Sequence, residues 1–244
     1  MKFAYLIEPP FNFFDENGHV TGCDVELARH VFNALDITHF DPVETEFAEL
    51  LPGLNDHRWQ MTTGLFATAE RKQTALFSRP IWALSDGLLV KANNPHKIDG
   101  YKSIAVNPNV RLAVIRDQFQ HRSAIEFGIS PAQISIYETY SEAAKAVKNG
   151  IVDAYASVGK AHCGFMAQNP SWDVTEVVVP FKEKPPAYGC FAFHLHDTEL
   201  RDNVNTFLND FLGSKEHRKM VAAFGVSDAD VDLLMRYRSS DHLF

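Results

Sequence analysis

The feature that most limits what this chain can fold into is an alternation of short apolar runs with stretches whose apolar residues recur at helical spacing. It is clearest from Val110 onward. There the pattern predicts a strand over 111–115, a helix over 117–127, a strand over 134–137 and a helix over 141–148. A strand over 151–156, a helix over 158–167 and a strand over 174–179 follow. Strands separated by helices of this length pair in parallel through crossover connections, so the fold class is α/β.

The first part of the chain repeats the theme. A strand over 2–7 ends at Glu8-Pro9-Pro10, because proline cannot extend a ladder, and Asp15-Glu16-Asn17-Gly18 supplies a tight turn. Asp24 is placed to cap a helix whose face is Val25, Leu27, Ala28, Val31, Phe32 and Leu35. A strand over 43–47 and a short helix over 49–55 lead to the stretch from Trp59 to Arg71. That stretch reads as a strand ending at Gly64, where the missing Cβ permits a sharp turn or a close approach, then a helix opened by Thr68. Arg71 falls in the first turn of that helix, as an ordinary solvated charge or as a guanidinium fork facing a carboxylate.

The apolar run 81–91 gives way to Ala92-Asn93-Asn94-Pro95 and Asp99-Gly100, which places a lobe boundary near Lys91. Lys182-Glu183-Lys184-Pro185-Pro186 is a second connection, followed by a strand over 188–193. Leu200, Val204, Phe207, Leu208, Phe211 and Leu212 then share a helical face, and 215–224 is a last amphipathic helix. The expected domains are therefore 1–91 with 183–244, and 92–182.

Composition excludes several functions. Of the 244 residues 45% are hydrophobic, enough for a packed core, and no apolar run approaches the roughly 20 residues that cross a bilayer. A formal charge of −8 with no block of Lys and Arg argues against nucleic acid. Cys23, Cys163 and Cys190 lack zinc or CxxC spacing; Cys163 and Cys190 form a bridge in an oxidising compartment, or all three are buried free thiols, the simpler expectation. His121, His162, His194 and His196 form no recognisable metal or nucleophile constellation, so no metal or cofactor is expected. A secretory signal, with a charged region before an apolar stretch, is absent from the chain as given.

Several ordered segments carry a resemblance. Glu8-Pro9-Pro10-Phe11 with Asp15 to Ala28, Thr68-Ala69-Glu70-Arg71-Lys72 with Phe77-Ser78-Arg79-Pro80, Gly150-Ile151-Val152-Asp153-Ala154, and the closing Phe224-Gly225 together resemble the family-3 extracellular solute-binding proteins. These are the polar-amino-acid receptors of ABC importers. The resemblance implies a two-lobed type II periplasmic-binding-protein fold, each lobe a mostly parallel sheet flanked by helices, joined by two hinge strands. It also implies a periplasmic monomer that closes on a small ligand without chemistry and partners a membrane ABC permease.

The same resemblance places Arg71 where the family clamps an α-carboxylate, and Thr63 and Gly64 where side-chain or backbone groups meet the ligand. Phe47 falls on an aromatic or apolar wall position and Phe66 where many members carry Ser or Thr; Tyr5, on the first strand, joins them. Trp82 is expected in the core. Glu8 replaces an aromatic residue, either solvated or reading a cationic group. The acid five residues beyond Asp153, which pairs with an α-ammonium in the family, is here Val158, flanked by Ser157. Asp117-Gln118, with Phe119 next, replaces a Gly-Thr pair; Asp117 is expected to be an N-cap, with Gln118 and Phe119 as second-lobe contacts.

The ligand this implies has an anionic end and an atypical cationic or polarised end: a modified or cyclic amino acid, a betaine or ectoine-like solute, or an amino acid bound through a rearranged ammonium site. The alternatives are an enzyme similar to cyclohexadienyl dehydratases, which share the fold, and a ligand-binding sensory domain.

Overall fold

The computed structural model describes residues 1–238, the last two by their backbone alone. In chain order the chain forms β1 (Lys2–Tyr5), β2 (Phe13–Phe14), β3 (Val20–Thr21), α1 (Cys23–Ala34), β4 (Asp41–Glu44), α2 (Leu50–Asn55) and β5 (Met61–Phe66). There follow β6 (Ala75–Phe77), β7 (Trp82–Leu84), β8 (Asp86–Lys91), α3 (Tyr101–Ala105), β9 (Leu112–Ile115) and α4 (Phe119–Glu126). After these come β10 (Ile134–Tyr137), α5 (Tyr140–Lys148), β11 (Ala154–Val158), α6 (Gly159–Gln168) and β12 (Val174–Val178). The chain continues through β13 (Ala187–His194), α7 (Thr198–Phe211), α8 (Lys215–Ala222) and α9 (Asp228–Arg238). No helix among the described residues is long and apolar enough to cross a membrane.

Two compact units result. The first holds residues 1–45, 49–83 and those from 187 onward; the second holds 46–48 and 84–186. The boundary expected near Lys91 thus moves back to 83/84. Its cause is pairing: β8 lies between β11 and β12 in the second unit's sheet, hydrogen-bonded on both edges. The apolar run that looked like the end of one lobe is an interior strand of the other.

In the first unit the strand order is β4-β1-β5-β13-β6, with β7 also pairing β13. β1 runs parallel to β4 and β5, whereas β13 is antiparallel to β5 and β6. The second unit's order is β10-β9-β11-β8-β12, parallel through β10-β9-β11 and antiparallel through β11-β8-β12. Each sheet is therefore mixed rather than mostly parallel. The alternating βα segments do run in parallel, β12 included, which follows β11 through α6; the antiparallel pairings are those made by β8 and β13.

In the second sheet β9 and β11 are buried along their whole length, which is why they read as near-continuous apolar runs rather than alternating ones. Leu88, Val90, Leu112, Val114, Ala154 and Ala156 project to one face of the second sheet, where Tyr101, Ile104 and Ala124 of α3 and α4 close the core. The first unit buries Phe3, Leu27, Phe32, Met61, Phe191 and Phe193 completely. Capping decides α5, whose Thr139 and Glu142 form a reciprocal capping box. Five elements were not expected from the sequence: β2, β3, β6 and α3, too short to show a period, and α9, which lies past the expected last helix.

Candidate functional site

In the first unit two of the candidate residues, Thr63 and Gly64, meet a buried carboxylate. Gly22, at φ 125, precedes α1, and a Cβ there would stand 2.2 Å from the carbonyl oxygen of Phe11. Only glycine lets the helix start press against that loop. The N–H of Cys23 donates to Pro10 and that of Asp24 to Phe11, so backbone carbonyls cap the helix. Asp24 is not the N-cap that the sequence suggested. It sits inside the first turn, 2% exposed, and its carboxylate accepts from Thr63 Oγ1 (2.6 Å), the Gly64 N–H (2.7 Å) and Trp82 Nε1 (2.5 Å).

Thr63 and Gly64 are thus engaged with Asp24, and Thr63 also accepts from Asn12 Nδ2 at 2.8 Å. Gly64 is a glycine because of close approach: a Cβ would stand 3.1 Å from Asp24 Oδ2. β5 does not end there but runs on to Phe66. Burial pushes the Asp24 carboxyl up from its ordinary range, while the donors from Thr63, Gly64 and Trp82 pull it back. Asn12 Oδ1 is buried without a hydrogen-bond partner. Trp82 is in the core as expected, at 5% exposure and against Phe11, but its indole N–H also belongs to the cluster.

Arg71 lies five residues beyond Phe66. Thr68 opens not an α-helix but a single 3-10 turn, Arg71–Gln73, because its hydroxyl takes the Arg71 N–H at 3.3 Å and the chain enters β6 directly. The guanidinium Nη1 donates back to the Phe66 carbonyl at 3.1 Å, which fixes the side chain along the end of β5. Phe66 and Arg71 are both half-buried. Glu8 is held by its backbone, which exchanges hydrogen bonds with Asn12 across a tight loop. Tyr5 ends β1 buried, and desolvation, then the nearby Glu44, pushes its hydroxyl up. Phe47 opens a 3-10 turn, Phe47–Glu49, beyond β4, which stops at Glu44 rather than at 47.

The second unit has its own buried carboxylate. Asp86, 2% exposed at the start of β8, accepts from Tyr101 Oη at 2.5 Å, from Gln120 Nε2 at 3.0 Å and from Lys184 Nζ. Lys184 also donates to Ser123 Oγ at 2.8 Å and stands 4.3 Å from the Phe119 ring centroid. Desolvation pushes the Lys184 ammonium down and the Tyr101 hydroxyl well up, and Asp86 opposes the first shift while reinforcing the second. Nothing in the sequence pairs an acid heading an apolar strand with a lysine 98 residues later in a connection that looked solvated.

This cluster packs under the first turn of α4. Asp117, expected as the N-cap, adopts φ 61 before the helix, and Gln118 takes the N-cap position with an extended backbone. Gln118 is 6% exposed, with Oε1 buried and without a hydrogen-bond partner. Phe119 is the first residue of α4. On β11, Ser157 pairs with Gly87 and Val158 with Asp86, so residue 158 shares its sheet face with the carboxylate. The three cysteines are free; Cys23 and Cys190 are buried, but Cys163, expected to be buried, is exposed on α6 and donates to Glu176.

The family model for bacterial extracellular solute-binding proteins, family 3, matches residues 2–226. The "Probable amino-acid ABC transporter periplasmic-binding protein y4tE" of Sinorhizobium fredii is 27% identical over 231 residues, 91% of this chain and 75% of its own length. The crystal structure of EhuB in complex with hydroxyectoine superposes with a TM-score of 0.87 at 24% identity, covering 96% of this chain and 90% of that one. The ancestral amino acid-binding protein AncCDT-1, described as a precursor of cyclohexadienyl dehydratase, gives a TM-score of 0.81 at 26% identity, over 92% and 94% of the two chains.

Proposed function

The chain belongs to the bacterial extracellular solute-binding proteins of family 3, the substrate-binding receptors of amino-acid ABC importers, and we propose that it delivers an amino-acid-like zwitterion whose carboxylate is clamped by Arg71. The observation that carries this is the bracing of Arg71. One guanidinium nitrogen is tied to the Phe66 carbonyl and the backbone N–H to Thr68, so the planar fork is oriented in advance of any ligand. Phe66, Glu8 and Tyr5 are further proposed contacts. In the second unit they are Phe47, Gln118, whose side-chain oxygen Oε1 has no partner within the protein, Phe119 and Ser157.

The nitrogen end of the ligand is read unusually. Position 158 carries valine, so the ligand is a modified or cyclic amino acid, a betaine or an ectoine-like solute rather than an amino acid held by the usual acid. The receptor acts in the periplasm as a monomer, hands its solute to a membrane permease, binds no nucleic acid and performs no chemistry. A thermal-shift screen over L-proline, L-arginine, glycine betaine, proline betaine and ectoine tests the reading. At saturation a bound solute raises stability by a few kcal/mol. Arg71→Ala is expected to weaken the best binder 30-fold or more, about 2–5 kcal/mol, with Arg71→Lys recovering only part. An unchanged affinity in Arg71→Ala removes Arg71 from the site, and turnover of prephenate or arogenate to an aromatic product replaces the receptor reading by the dehydratase one.

A further inference from the structure

We propose that Lys184 is a specificity-determining residue: by occupying Asp86 it withdraws the acid that stands directly across the strand pair from position 158, and so sets the site against ligands that carry an N–H-bearing ammonium. The inference rests on the reading above that Gln118 and Phe119, at the start of α4, contact the ligand.

The missing acid at Val158 is not missing from its neighbourhood. Asp86 is the direct cross-strand partner of Val158, and residues opposite one another in an antiparallel pair project to the same face. Its carboxylate is buried there, beneath the α4 turn that carries Gln118 and Phe119. What lies on it is the Lys184 ammonium, held by Asp86 and the Ser123 hydroxyl with the Phe119 ring face 4.3 Å away. A carboxylate, a hydroxyl and an aromatic face are the set that a ligand ammonium would take. Lys184 fills that place from within the chain, with its side chain 11% exposed against 1% for Asp86, so the lysine is what covers the acid. A quaternary nitrogen, which cannot donate a hydrogen bond, loses nothing by this arrangement; a primary or secondary ammonium loses its acceptor.

Lys184→Met therefore uncovers an acid that Tyr101 and Gln120 continue to hold as an acceptor. The experiment measures binding of two matched pairs, glycine with glycine betaine and L-proline with proline betaine, to wild type, Lys184→Met, Lys184→Gln and Lys184→Arg by calorimetry at pH 7.5. Within each pair the carboxylate is the same and only the N–H groups differ. The affinity ratio of amino acid to betaine is expected to rise about tenfold or more in Lys184→Met and Lys184→Gln, the size of one charge-assisted hydrogen bond, and to return toward wild type in Lys184→Arg. An unchanged ratio, or no binding of glycine and L-proline by either uncovered variant whatever the wild type binds, overturns the proposal. Lys184→Gln removes the ammonium while keeping a polar side chain and so guards against a Lys184→Met protein that does not fold, and Asp86→Asn combined with Lys184→Met should abolish the gain. If Arg71→Ala leaves every affinity intact while the ratio still switches, the carboxylate clamp is wrong and the role of Lys184 stands.

Discussion

The two units solve the same electrostatic problem in opposite ways. Each buries one aspartate to 2% exposure. Around Asp24 the first unit arranges neutral donors alone, from Thr63, Gly64 and Trp82, and the carboxyl is pushed up by burial. Around Asp86 the second unit adds a full countercharge, Lys184, to Tyr101 and Gln120. A carboxylate held by neutral dipoles needs no countercharge, and its donors here come from β5 and β7, two strands that both bond to β13. A carboxylate held by a lysine demands a partner of opposite sign, and here that partner is recruited from the far end of the unit.

The contrast predicts different costs. Asp86→Ala should be the most damaging change, about 3–5 kcal/mol in urea unfolding, because it strands a buried ammonium, and Asp86→Ala with Lys184→Met should recover a substantial part. Asp24→Asn should cost less, about 2 kcal/mol, since one acceptor survives while a donor meets the new amide N–H. Equal losses, or no recovery in the double variant, would erase the distinction between the clusters.

Buried histidines sharpen it further. His162 in the second unit and His217 in the first are both pushed down to about 4, chiefly by desolvation. His162 is satisfied, since Nε2 donates to the Gly87 carbonyl and Nδ1 accepts from Tyr140 Oη at 2.5 Å. In His217, Nδ1 accepts from the Gly213 N–H, and Nε2 is buried without a hydrogen-bond partner. Because the folded values lie below the ordinary 6.5, the unfolded chain binds more protons between them. Each histidine's contribution is thus fully present above pH 6.5 and lost as pH falls through 4, up to roughly 3 kcal/mol apiece. His162→Gln should flatten the stability profile over that window in denaturant titrations at pH 7 and pH 4.5. The smallest effect is expected at neutral pH: His217→Phe within about 1 kcal/mol of wild type, against about 1–3 kcal/mol for His162→Phe, which removes one hydrogen bond each from the Tyr140 hydroxyl and the Gly87 carbonyl.

Much of this architecture was legible because local signals agreed with it. The alternation over 110–179 gave β9, α4, β10, α5, β11, α6 and β12 nearly in place, and the motif around Thr68 and Arg71 led to the correct family. Strand direction was not legible, because β8 and β13 read as apolar runs whichever way they pair. Asp24 was misread as a cap because an acid at the head of a helix carries that signature in sequence, whereas carbonyls of Pro10 and Phe11 had already taken the helix N–H groups. Gly64 was read correctly as a point of close approach, yet its partner lies 40 residues upstream. Asp86 and Lys184 were invisible for the same reason: periodicity reports burial of a face, not which polar group crosses the fold to satisfy another.

The separation of Asp86 from Lys184 has a kinetic side. Asp86 comes three residues after the chain enters the second unit at 83/84, and Lys184 comes just before it leaves at 186/187. A contact spanning 98 residues closes one of the longest loops that unit contains, and its loop entropy is recovered only once the intervening sheet is in place. Such a contact forms late, so weakening it leaves the refolding rate nearly unchanged and speeds unfolding. The pair is expected to act as the latch of a long insertion, its loss shortening the lifetime of the second unit more than it slows its formation.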